Sequence, residues 1–152
     1  MKFLKLIIIL SIILTSCGFK PIYSLKNSSF EIIEIQNINE NKNSFSIEQM
    51  VMSLSNQNAN KKVKLEMEYK QSISTVLKDN KGDPSKKKIS ITVNLKVKNE
   101  KGNVLTNKNF NEEFSYDVQS DKFKMAQYEG NITENLISKI SNDIIFLLGT
   151  IE

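Results

Sequence analysis

The chain has 152 residues, a length that suits one compact domain around a single hydrophobic core. Its 21 basic residues are all lysines, against 17 acids, and the formal charge of +4 falls to +2 once the two lysines of the N-terminal leader are set aside. No Arg fork, no His and a single Cys speak against nucleic-acid readout, imidazole catalysis, thiol chemistry in the mature chain and an intramolecular disulfide.

Residues 1–16, MKFLKLIIILSIILTS, have the order of a cleaved secretory signal: Lys2 and Lys5, the apolar run Leu6 to Leu14, then the small polar pair Thr15 and Ser16. The run is far short of the ~20 residues that span a bilayer, so an uncleaved anchor fits less well. Leu14-Thr15-Ser16-Cys17 has the form of a bacterial lipobox, in which small residues admit a peptidase and the thiol accepts diacylglycerol. Cys17 is therefore the expected lipidation site, bearing a diacylglycerol and an N-acyl chain, and no other cofactor is expected. Several acyl chains, at ~0.8 kcal/mol per buried methylene, make such an anchor effectively permanent. Gly18, where inner-membrane retention favours Asp, directs the expectation to the outer membrane, lipid-anchored on its periplasmic side.

Residues 17–29 are expected to form a lipidated N-terminal segment, and 30–152 one periplasmic domain. Phe30 to Ile38 broadly alternate and predict a first strand, with adjacent Ile32 and Ile33 leaving its inward face open. A helix is expected next, capped by Ser46, with Gln49 at the capping-box position and Phe45 and Met50 at staple spacing. Ile47, Met50, Val51 and Leu54 would be its apolar stripe, and it should end in the polar run Asn56 to Lys62.

Two strands with period-two patterning follow. Val63, Leu65, Met67, Tyr69, Ile73 and Leu77 share one face of the first; Ile89, Ile91, Val93, Leu95 and Val97 share one face of the second. Lys78 to Lys86, with Gly82 and Pro84, joins them, and Asn99 to Asn103, with Gly102, turns the chain into a fourth strand carrying Phe110, Phe114, Tyr116 and Val118. The C-terminal stretch has helix spacing at Ile132, Leu136, Ile140, Ile144 and Leu148, widened by Ile137, Ile145 and Leu147. Gly149 is the expected stop, and Gly130, beside the cap-like pair Asn131 and Glu134, marks a point where this helix can break.

The expected fold is α/β (α+β): a two-layer sandwich of order β-α-β-β-β-α, its four-stranded, mostly antiparallel sheet covered on one face by two helices. The other sheet face, with Lys64, Glu66, Glu68, Lys70, Ser90, Thr92, Asn94 and Lys96, would be solvated or meet a polar partner.

No catalytic or metal-site spacing emerges, and the chain is expected not to be an enzyme. Glu66 with Glu68 and Glu112 with Glu113 read as surface acids rather than catalytic dyads. Lys86, Lys87 and Lys88 could meet the phosphates of an anionic glycolipid as point charges, but the ordinary role of such a run is a solvated loop that guards the strand beginning at Ile89. Tyr69, Phe110, Phe114 and Tyr116 read as packing residues rather than the lining of a lipid groove.

Cys17-Gly18-Phe19-Lys20-Pro21-Ile22-Tyr23 resembles the start of the mature lipopolysaccharide-assembly lipoproteins of the LptE family, in their alphaproteobacterial form. The two long strands, the Gly102 turn, Phe114-Ser115-Tyr116-Asp117-Val118 and the helix ending Ile144-Ile145-Phe146-Leu147-Leu148 fall in that family's order. The resemblance implies a two-layer α/β sandwich that plugs and helps assemble the outer-membrane β-barrel LptD and takes part in lipopolysaccharide transport to the outer leaflet. Its implied partners are LptD, lipopolysaccharide and the membrane, with no nucleic acid. The alternative is a barrel-independent envelope lipoprotein that binds lipid in an internal groove or serves a structural role.

Overall fold

A computed structural model describes residues 28–151, so the leader, Cys17 and most of the segment that follows it lie outside the described residues. The elements run β1 (Phe30–Asn37), α1 (Lys42–Met52), β2 (Lys61–Lys78), β3 (Pro84–Asn99), β4 (Val104–Asp117) and α2 (Lys122–Thr150). This is the β-α-β-β-β-α order expected from the patterning. The strands form one mixed sheet in sequential order. β1 pairs parallel to β2, which requires a crossover, and α1 supplies it; the β2–β3 and β3–β4 pairs are antiparallel hairpins.

Alternation decides which side of the sheet is covered. Val63, Leu65, Met67 and Tyr69 of β2 and Ile89, Ile91, Val93, Leu95 and Val97 of β3 are all buried, and they form one cluster with Ile47 and Val51 of α1 and the α2 stripe Ile132, Leu136, Ile140, Ile144 and Leu148. Burying each such side chain contributes about 1.5–3 kcal/mol, and this layer holds both helices on the same sheet face.

Both hairpins turn by the same chemistry. In each, an Asx residue leads and Gly stands three positions later: Gly82 (φ 89°) after Asp79, and Gly102 (φ 86°) after Asn99. The leading side chain accepts backbone N–H groups, from Lys81 and Asp83 in the first turn and from Asn103 in the second. The left-handed φ is open to Gly at no steric cost.

The structure departs from the periodic reading at four points. α1 begins at Lys42, not beyond Ser46: Asn41 is the cap, its side chain accepting from the Asn43 and Ser44 amides while the Ser44 hydroxyl accepts from the Asn41 amide. Ser46 lies inside the helix, and Phe45 and Met50 are exposed rather than stapled. The helix stops at Met52, before the polar run. α2 starts at Lys122 behind the Asp121 cap, passes unbroken through Gly130 and includes Gly149, so neither glycine ends it. Ile73, Leu77 and Phe114 are 48%, 54% and 45% exposed, although Ile89, which lies between Ile73 and Phe114 in register, is fully buried: in this row across the sheet only the central strand is fully covered.

Candidate functional site

The outer sheet face is the largest chemically distinctive surface among the described residues. Lys64, Glu66, Glu68 and Lys70 of β2, Ser90, Thr92, Asn94, Lys96 and Lys98 of β3, and Asn107, Asn109, Asn111 and Glu113 of β4 share it through the strand register. These side chains are joined laterally. Glu66 accepts from Lys96 at 2.7 Å and also from Lys98. Asn94 donates to Glu68 at 2.9 Å and accepts from Asn109, and Thr92 donates to Asn111 at 3.0 Å. Lys64 reaches Glu34 of β1 at 2.9 Å, and Lys88 reaches Glu113 at 2.9 Å.

The pairing governs the acid groups. Hydrogen bonds from Lys96 and then Lys98 pull the Glu66 carboxyl down from 4.5 to about 2, and hydrogen bonds from Lys70 and Asn94 lower Glu68. Pairs this open to water add little stability each, so their principal effect is to fix register and neutralise the face. The result is a hydrophilic plate of balanced charge with its long side chains held.

The three lysines considered for phosphate contact do not form one cluster. Lys87 pairs in register with Tyr116 and faces the helices, with its ammonium 4.0 Å from Glu129, whereas Lys86 and Lys88 face outward toward Asp117 (3.6 Å) and Glu113. They sit in β3 rather than in a loop. Each positive charge already has a carboxylate neighbour.

On the helix side, Tyr116 is buried and its hydroxyl donates to Glu129 of α2 at 2.6 Å. Burial, reinforced by that carboxylate, pushes the phenol well above its ordinary 10.0. Tyr69 is likewise buried, donating to Gln71 at 2.7 Å and accepting from Asn43. Glu112, considered above only as a surface acid, accepts from Lys139 of α2 at 2.7 Å and so ties the helix to β4. The spacing of residues this far apart in the chain gave no sign of that pair.

Between sheet and helices, a void lined by Ile35, Ile47, Val51, Leu65, Met67 and Leu95 measures about 10 Å³, room for no more than about one water. A larger cleft of about 520 Å³ opens at the surface between α1, α2 and the distal part of β2. Met50, Ile73 and Ile137 contribute to a lining whose exposed surface is more apolar than polar, with Lys42, Gln71, Glu129, Thr133 and Glu134 adding polar groups. The void is too small for an acyl chain, and the cleft lies open to solvent instead of enclosing one.

Among the described residues no helix is long and apolar enough to cross a membrane. Comparison with family models and with curated proteins gives no match. Among solved structures, the fold is shared with a minor lipoprotein from Acinetobacter baumannii at 12% identity and TM-score 0.61, the match covering 82% of this chain and 92% of that one. A rare lipoprotein B from Shewanella oneidensis matches at 11% identity and TM-score 0.61, covering 79% and 94%. A putative lipoprotein from Caulobacter crescentus matches at 14% identity and TM-score 0.56, covering 81% and 89%. At these identities the likeness is one of fold: the chain has the architecture found in this group of bacterial lipoprotein domains.

Proposed function

We propose that the chain is an outer-membrane lipoprotein, anchored through Cys17, that plugs the lumen of the LptD β-barrel, helps it assemble and takes part in lipopolysaccharide transport to the outer leaflet. The observation that carries this reading is the outer sheet face. A barrel lumen is wet and polar, and a plug needs a rigid hydrophilic wall whose own charges are already satisfied. The Glu66–Lys96–Lys98 and Glu68–Asn94–Asn109 networks give the sheet that character. Support also comes from the lipobox at Cys17, from the fold shared with bacterial lipoproteins, and from a core too closely filled for a lipid carrier.

The reading assigns no chemistry to the chain. Its contribution is shape, register and charge balance at the barrel wall, with the lipid holding the domain at the membrane while the barrel closes around it. The experiment is affinity purification of tagged full-length protein from its native envelope in mild detergent, with mass identification of partners and of the Cys17 peptide. A stoichiometric β-barrel together with an acylated Cys17 is the expected result. An acylated protein recovered repeatedly without any barrel would transfer the assignment to a barrel-independent envelope role.

A further inference from the structure

β1 covers only part of the β2 edge. The last bond between them runs from the Ile38 amide to the Met67 carbonyl at 2.9 Å, after which the chain leaves the sheet for the α1 cap at Asn41. β2 continues for eleven more residues, to Lys78, and from Gln71 onward every residue is exposed.

The direction of the unpaired backbone groups follows from register. Met67 points its carbonyl at β1, and β2 alternates without interruption as far as Thr75, so Gln71, Ile73 and Thr75 direct their N–H and C=O groups to the same side, where no strand of the described residues continues. The β3–β4 turn gives the same parity independently: the Asn99 amide donates to the Asn103 carbonyl at the turn, on the β4 side, so its register partner Val63, like other odd-numbered β2 residues, faces away from β3. Beside this edge, where β1 would have continued, lies a notch of about 490 Å³ lined by Asn41, Lys42 and Asn43 from the start of α1 and by Tyr69, Gln71, Ser72 and Ile73 of β2.

Open edges are ordinarily guarded by charge. The free side of β1 has Glu31 and Glu34, and β4 has Lys108, Glu112 and Glu113, but Gln71 to Leu77 reads QSISTVL and has none. A row of unpaired amides and carbonyls on an uncharged, β-favouring segment, flanked by a strand-sized notch, is complementary to another extended backbone. We infer that the β2 edge from Gln71 to Thr75 receives an uncharged extended segment of the partner polypeptide as an added strand, in line with β1. The inference rests on the barrel reading above and specifies how the partner is gripped.

Backbone hydrogen exchange tests it, on the detergent-extracted complex and on the isolated full-length chain. The Gln71 and Ile73 amides are expected to exchange about tenfold more slowly, or slower still, in the complex. Ile73→Pro removes an edge-facing amide while leaving the β3 ladder intact, so it should reduce recovery of the complex; Ile73→Ala, which keeps the amide, should not. Unchanged exchange in an intact complex overturns the strand while leaving the barrel assignment standing. Absence of any complex with the native chain removes both. Protection that grows with concentration in the isolated protein gives the edge to a second copy and overturns the proposal. The exchange measurement uses the native sequence, so it decides the matter even if the proline variant fails to fold.

Discussion

Glu66 on β2 lies directly opposite Lys96 on β3, 2.7 Å from its ammonium, on the sheet face opposite α1 and α2. Lys98 joins them from two residues further along β3. One carboxylate thus serves two cations, and the face gains a fixed centre that keeps a net positive charge. Because Glu66 is held at about 2 in the folded chain against 4.5 ordinarily, its contribution is fully present above the unfolded value and disappears as pH falls through the folded one. Glu66→Gln should therefore be less stable than the native chain near neutrality, with the difference shrinking between about pH 4.5 and about pH 2. Urea unfolding of both proteins across that range checks it.

Tyr116 and Glu129 form a buried-edge contact between β4 and α2 with the opposite pH sense. The folded phenol keeps its proton well past 10.0, so the bond stabilises below that value and is lost as pH rises above it. Tyr116→Phe should cost about 1–3 kcal/mol near neutrality, as expected for a hydrogen bond to a charged group. It should also remove the latest-ionising component from an ultraviolet tyrosinate titration.

The core should answer to size and the surface should not. Ile140 is fully buried between the α2 stripe and the sheet, and Ile140→Ala should cost about 2–5 kcal/mol. Phe123, 80% exposed in the first turn of α2, should change stability by less than about 0.5 kcal/mol when replaced by Ser. Equilibrium denaturation separates the two.

Glycines in different backbone settings should respond with opposite signs. Gly130 is mid-helix with nothing within 4 Å of an added Cβ, so Gly130→Ala should stabilise by about 0.5–1 kcal/mol. Gly102 has φ +86°, and Gly102→Ala should destabilise by about 1–2 kcal/mol. Thermal unfolding midpoints would show the divergence.

The lysines at 86–88 give a prediction about ligand rather than fold. Their charges divide between the two sheet faces and lie beside Asp117, Glu129 and Glu113. Replacing all three by Gln should leave lipopolysaccharide binding by the purified full-length protein unchanged. A clear loss would establish them as phosphate contacts.

The sequence displayed most of this architecture because two periods are cleanly written in it. Val63 to Tyr69 and Ile89 to Val97 alternate, and Ile132 to Leu148 repeats every four residues, and all of those apolar positions are buried. What periodicity reports is orientation, not coverage. Ile73 and Leu77 continue the β2 pattern yet are about half exposed, Ile73 lining an open cleft between the helices, and Thr75 to Leu77 contains a bulge that no spacing reveals. The helix starts were hidden for a related reason: Asn41-Lys42-Asn43 and Lys122 to Lys124 bury little, so the first turns carry no apolar stripe and the caps Asn41 and Asp121 stand before polar runs. The surface networks were legible only as a list of polar residues. Their partners come from other strands, and the register that joins Glu66 to Lys96 is a property of the folded sheet.

The most direct test of the central claim places a photo-crosslinking residue at Asn94, in the middle of the outer sheet face, in full-length protein in its native envelope. Adducts to a single β-barrel protein, mapped to lumen-facing positions of its strands, are the predicted result, with none from the buried control position Val93. Strong adducts to lipid or to soluble periplasmic proteins, with no barrel peptide recovered, would contradict the plug and leave the polar face without that partner.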